Sequence, residues 1–348
     1  MMANEIFLLG LALGCALLLA WGFKKLPLER WQILAAIPVF KNGDGVWRGM
    51  NLTFYGLFTA NALAIAAVLL VIMLGSLGLS LREVGIVLLP LFSLCVPAAK
   101  WVARLVEKKQ YTFTVAGAFF VGLVAAPWLV MAANLALGPQ MQLPVLAVCS
   151  AMSVAYAFGE GLGRLACISF GCCYGKPLDQ CPPALQKLFA RHSFAFSGAT
   201  KKASYESGLE GARLLPVQAI TAVLYLACGL ACLYLFLLGW FGTALVISLI
   251  VTQGWRTFSE FLRADFRGGG SLTAYQWMAL ISVAYAGLMA LWLPGRAAAP
   301  ELVNGLSLLW SPWVLILIQG LWLLVLLYTG RSKVTASTIS FKVMQDRI

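Results

Sequence analysis

An all-α polytopic membrane protein of about nine transmembrane helices, with a small extramembrane cap, is the fold class that this sequence predicts. Three observations carry it. First, the 348 residues are 61% hydrophobic and only 11% charged, with a mean hydropathy of +0.88, where a soluble domain carries about 25% charge. Second, nine stretches reach the ~20 apolar residues that one helical crossing needs: Ile6–Phe23, Leu52–Leu74, Val84–Val102, Phe113–Leu135, Leu143–Ile168, Val217–Phe236, Thr243–Phe261, Leu272–Leu293 and Leu308–Tyr328. Third, the long polar stretch 172–215 interrupts these spans and carries enough aromatic residues to pack as a cap.

The first span has no basic residue before it, and Lys24-Lys25 follow instead, so it reads as a span rather than a cleaved signal peptide. Lys24 to Met50 is basic and aromatic, with Glu29 to Leu34 predicted as a short interfacial helix and Asn42-Gly43-Asp44-Gly45 as a turn. Pro97 and Lys100 make the third span the least regular. The cap holds the single histidine, His192, and can pack on Phe189, Phe194, Phe196 and Tyr205. No repeat of fixed period is visible. Alternating the spans puts all but Arg82 and Arg296 of the 25 Lys and Arg on the cap side. The positive-inside rule then makes that side cytoplasmic, unless arginines kept for chemistry bias the count. The net charge of +12 is accordingly read as topology and anionic-lipid contact, with no nucleic-acid partner.

Charge inside a span costs ~2.5–3.5 kcal/mol per residue on insertion scales, so it normally faces a polar cavity. The fifth span carries Glu160 and Arg164, four residues apart, and ends in Gly171, Cys172, Cys173 and Gly175. Near the end of the seventh, Arg256, Glu260 and Arg263 are spaced to share one helical face. Two helices bringing Arg and Glu to the same membrane side predict a shared polar pocket, with arginines suited to bidentate phosphate recognition. Tyr55, Gln218 and Gln276 lie at span ends, where an aromatic belt and helix-end hydrogen bonds are the ordinary readings. Cys15, Cys95, Cys149, Cys228 and Cys232 read as small core residues. Cys167, Cys172, Cys173, Cys181 and His192 hold metal-ligand atoms, but without the C-x2-C spacing of a zinc site. No metal or cofactor is therefore assigned. A disulfide would need the oxidising side. Cys172, near Arg164 and Lys176, is a possible nucleophile with a lowered pKa, whereas Cys173 reads as helix-end packing.

These motifs resemble the prolipoprotein diacylglyceryl transferase family. Gly163-Arg164 followed by Gly171 and Gly175 is similar to the family signature, Arg256, Glu260 and Arg263 to its Arg-x-x-x-Glu-x-x-Arg helix, and Tyr55-Gly56-Leu57 to its first helix. The resemblance divides the chain into a family-like membrane domain, 52–293, with the cap 172–215, an added span and basic segment, 1–51, and an added span and basic tail, 294–348. It implies a multi-pass enzyme of the bacterial inner (cytoplasmic) membrane that moves a diacylglyceryl group from phosphatidylglycerol to a lipoprotein cysteine. It further implies catalytic roles for Arg164, Arg256, Glu260 and Tyr55, and substrate contacts from Glu160, Arg263, Gly171, Gly175, Gln218 and Gln276. The departures are specific. Cys167 and Cys172 stand where the signature has asparagine and glutamate, Thr114 where a catalytic-helix histidine is expected, and Leu215 where a second histidine precedes Pro216. The family also works at the outer face, against the charge count. The donor and fold thus follow the resemblance more closely than the acceptor does. The alternative is an altered homologue that binds or transports phospholipid, or serves a non-lipoprotein acceptor.

Overall fold

The computed structural model describes residues 2–107, 114–138, 142–265, 272–295 and 297–348. Phe113, Arg296 and residues 108–110 of the charge count therefore lie outside the described residues. In chain order the elements are α1 (Met2–Lys25), β1 (Ile33–Lys41), β2 (Trp47–Thr53), α2 (Phe54–Ser76), α3 (Leu81–Glu107), α4 (Val115–Leu137) and α5 (Val145–Phe170). The cap helices α6 (Pro183–Phe189) and α7 (Lys202–Ser207) follow, then α8 (Val217–Leu237), α9 (Phe241–Ser259), α10 (Ala274–Trp292), α11 (Leu302–Leu309), α12 (Pro312–Gly330) and β3 (Arg331–Ile339). Among the described residues, eight helices are long and apolar enough to cross a membrane. The seventh expected span is a helix, α9, but is not among them. Its buried face carries Thr252, Gln253 and Arg256, which lower its hydropathy.

Helix α5 is the axis of the bundle, packed against α1, α2, α4, α8 and α9. Its glycines explain how. Side chains at Gly159 and Gly163 would meet Ala66 and Ala62 of α2, and a Cβ at Gly161 would come within 2.9 Å of Leu226 on α8. Small residues let helix backbones approach where lipid supplies no hydrophobic drive between helices. The polar residues of α5 therefore sit at the bundle centre, not at its rim.

The two ends of the chain meet each other, which the spans alone did not predict. The interfacial helix expected at Glu29–Leu34 is only a single 3-10 turn, Glu29–Trp31, after which the chain extends into β1. Residues Ile33 to Phe40 are rich in strand formers, and Pro38 has no N–H to continue a helix. The predicted Asn42–Gly45 turn closes the β1–β2 hairpin, with Gly45 N–H donating to Asn42 O at 3.1 Å. Strand β2 is central, and its other edge takes β3 from the far end of the chain, pairing Trp47 with Ile339 and Leu52 with Arg331. Thr53 then caps α2 while its Oγ1 donates to Gly330 O at 3.0 Å. A Cβ at Gly56 would lie 2.1 Å from Gly330 Cα, so the glycine of Tyr55-Gly56-Leu57 is what lets α12 cross α2.

The cap is anchored from below. Lys201 is fully buried and its Nζ donates to Leu26 O at 3.0 Å and Ser169 O at 2.6 Å, tying the ends of α1 and α5 together. Burial lowers its pKa to about 7, against an opposing pull from Glu29. Of the aromatics expected to pack the cap, Phe194 and Phe196 are buried and Phe189 is half-buried, but Tyr205 is exposed, and the buried Tyr174 packs instead.

Candidate active site

The ends of α5 and α9 and the start of α8 enclose a cleft of ≈ 330 Å³ lined by Arg164, Cys173, Gln218, Thr221, Tyr225, Arg256, Glu260 and Arg263, with Val217 and Ser259. Glu160 pairs with two of the lining arginines. One carboxylate serves two guanidinium groups: Arg164 Nη2 donates to Glu160 Oε2 at 2.5 Å, and Arg256 Nη1 lies 3.6 Å from Glu160 Oε1. Among the described residues, both arginines nonetheless keep a buried Nε–H without a hydrogen-bond partner. Arg256 also stands over the ring of Tyr275, 6.0 Å from its centroid.

The α9 side departs from its helical-face reading. The α-helix ends at Ser259, a 3-10 turn spans Glu260–Leu262, and Arg263 is extended, bridged to Gly175. The partner of Arg256 is therefore Glu160 on α5, not Glu260. Glu260 lies 3.8 Å from Arg263, whose main partner is Asp265, gripped through Nε at 2.8 Å and Nη2 at 2.5 Å. Gly175 makes this possible, since a Cβ there would sit 2.4 Å from Leu215 O.

Other expected site residues occupy supporting positions. Gly171 ends α5 in the left-handed region, with φ of 75°, and turns the chain towards the cap. Gln276 caps α10 with Thr273 and donates to Thr257 O of α9 at 2.9 Å, so its amide is engaged away from the cleft. Gln218 does line the cleft. Its Nε2 donates to Cys172 O at 2.8 Å while its buried Oε1 has no partner among the described residues. Tyr55 packs edge-on against Phe170, 5.6 Å between ring centroids, and does not line the cleft. Thr114 is buried at the start of α4.

The cysteines also depart from expectation. Cys173, read as packing, faces the cleft. Cys167 and Cys173, and then burial, push the Cys172 thiol well above its usual pKa, so the lowered value expected of a nucleophile is not met. Cys181 belongs to a separate apolar cluster and His192 is exposed.

Two polar lining residues of α8 escaped the sequence reading, as did Asp265, the partner of Arg263. Thr221 and Tyr225 follow Gln218 by three and seven residues, one face of α8. That polar spacing was visible, but it is diluted in an apolar span. Asp265 lies two residues past Arg263 and reads as loop until the 3-10 turn brings the pair together.

Fold and cleft define a class: a multi-pass membrane protein with a buried arginine pair opening beside a polar cap. The chain belongs to the prolipoprotein diacylglyceryl transferase family, whose sequence model matches residues 46–292, from β2 to the end of α10. A search of curated proteins finds no match. Family membership makes the chain a membrane transferase of the diacylglyceryl-transfer kind.

Proposed function

We propose that the protein transfers a diacylglyceryl group from an anionic phospholipid, phosphatidylglycerol or a close relative, to a thiol acceptor such as a lipoprotein cysteine, in the inner membrane of a bacterium. The observation that carries this reading is the Arg164–Arg256 pair, which lines the cleft, shares Glu160 and, among the described residues, keeps two buried Nε–H donors without a hydrogen-bond partner. Unpaired buried donors cost free energy, and a phosphate oxygen is a fitting acceptor for them. The cleft lining is cationic, with Arg164, Arg256 and Arg263 on its walls, which suits an anionic headgroup.

In this reaction the acceptor sulfur attacks the glycerol carbon, the carbon–oxygen bond to phosphate breaks with its electron pair going to oxygen, and glycerol phosphate leaves. Arg164 and Arg256 stabilise the charge growing on that phosphate, a contribution of ~2.7–4 kcal/mol for each such donor removed elsewhere. Glu160 holds both guanidinium groups in position, and Arg263 with Asp265 fixes the outer wall. The test is turnover of phosphatidylglycerol by the protein in lipid, with a cysteine-bearing peptide as acceptor. Peptide-dependent release of glycerol phosphate that Arg256→Ala abolishes is the expected result. Binding of the lipid without release, whatever thiol is offered, would make the protein a phospholipid binder instead.

A further inference from the structure

The thiols of Cys167, Cys172 and Cys173 lie within 4.8 Å of one another, and none is in a disulfide. The fold makes this cluster in three steps. Cys167 sits in the last turn of α5, Gly171 reverses the chain in the left-handed region, and Cys172 N–H donates back to Cys167 O at 3.0 Å. Cys173 then takes a φ of 57°, the one non-glycine residue with positive φ among those described. That conformation costs of order 1–3 kcal/mol for a side-chain-bearing residue and persists where the surroundings enforce it. Such an outlier at a ligand-rich site points to function rather than to packing.

We propose that Cys167, Cys172 and Cys173 bind one thiophilic divalent metal ion, zinc by chemical class, leaving an open coordination position towards the cleft. Zinc–sulfur bonds of ~2.3 Å in a tetrahedral site put the sulfurs ~3.8 Å apart, within about 1 Å of the separations the fold already provides. Three protein ligands with a free fourth position is the arrangement of a reactive rather than a structural site. The charge also balances. A divalent ion with three thiolates carries one negative charge, and Arg164 Nη1 lies 4.0 Å from Cys167 Sγ, while Cys173 shares the cleft with Arg256 and Arg263. The missing C-x2-C spacing is no obstacle, because two successive left-handed turns do the work that spacing does in a loop.

Resting on the transfer reaction proposed above, the site assigns a role to the acceptor. Its thiol takes the open position and releases its proton to water. The metal-held sulfur then forms the new carbon–sulfur bond as phosphate departs, and the neutral thioether dissociates. Neither metal nor cysteines change oxidation state. A metal here would supply the activation that no histidine beside the cleft provides.

The experiment is metal analysis of the full-length chain purified in lipid without chelator, followed by cobalt substitution. One equivalent of zinc per chain, and thiolate-to-cobalt charge-transfer absorption, are expected. Both should fall at least about tenfold in Cys167→Ser, Cys172→Ser and Cys173→Ser, and persist in Cys181→Ser, which controls for folding. Wild-type protein with no metal and all its thiols titratable would overturn the site, as would a disulfide within the cluster. Metal bound as expected but no glycerol phosphate released would uphold the site and reject the transfer reaction. Release unaffected by stripping the metal would reject the role in activation.

Discussion

The two sides of the cleft treat their arginines differently. On the α9 exit, Arg263 is saturated by a two-point grip on Asp265 with Glu260 beside it. On the α5 side, Arg164 and Arg256 divide a single carboxylate between them and keep buried donors unused. A satisfied arginine shapes the backbone, whereas an under-satisfied pair fits the proposed role of meeting an anionic headgroup. Position in sequence does not reveal the distinction, since Arg256 and Arg263 belong to the same motif.

The contrast can be broken from either side. The largest effect is expected for Arg256→Ala or Arg164→Ala, with turnover reduced about 100–1,000-fold by analogy with a lost charge-stabilising donor. Arg256→Lys should recover little, because the Nε–H donor is gone. Turnover within a few-fold of wild type in either alanine variant would remove the pair from catalysis. Next is Glu160→Gln, which leaves two buried guanidinium groups uncompensated and should cost about 3–5 kcal/mol of stability. Thermal unfolding in detergent measures this, and anionic phospholipid should restore more stability to the variant than it adds to wild type. Equal lipid effects would argue that the arginines do not meet the headgroup.

Smaller effects are expected on the α9 side. Arg263→Ala removes the two-point grip on Asp265, so the pair should be coupled by about 0.5–3 kcal/mol in a double-variant cycle with Asp265→Ala. Additive losses would instead give Arg263 a direct part in substrate binding. Last, Gly175→Ala places a Cβ 2.4 Å from Leu215 O and should cost about 1–3 kcal/mol while leaving the order of lipid preference unchanged. A changed preference would mean that Gly175 meets the substrate directly.

Much of the candidate site was legible beforehand because charge in a span is rare. Glu160, Arg164 and Arg256 stand out against apolar neighbours, and their helix-end positions put them on one membrane side. What spacing misjudged was partnership. Residues Arg256 and Glu260 are four apart, but the α-helix stops at Ser259, and a buried arginine takes the nearest buried carboxylate, which lies on another helix. Gln276 is the helix-end hydrogen bonder that its position suggested, rather than the substrate contact the resemblance implied, while Thr221 and Tyr225 looked like span interior and line the cleft.

The sequence by itself determined that this is a polytopic helical membrane protein, and that the charged residues of two spans gather on one membrane side. Long apolar runs can satisfy their backbone in lipid only as helices or closed barrels, and runs of this length are helices. Only the tertiary structure decided which carboxylate serves which arginine, that the two ends of the chain share one sheet, and that three thiols converge beside the cleft. Those outcomes depend on where a helix stops and how the chain turns next. Strand partners almost 300 residues apart and a left-handed cysteine leave no periodic signal to read.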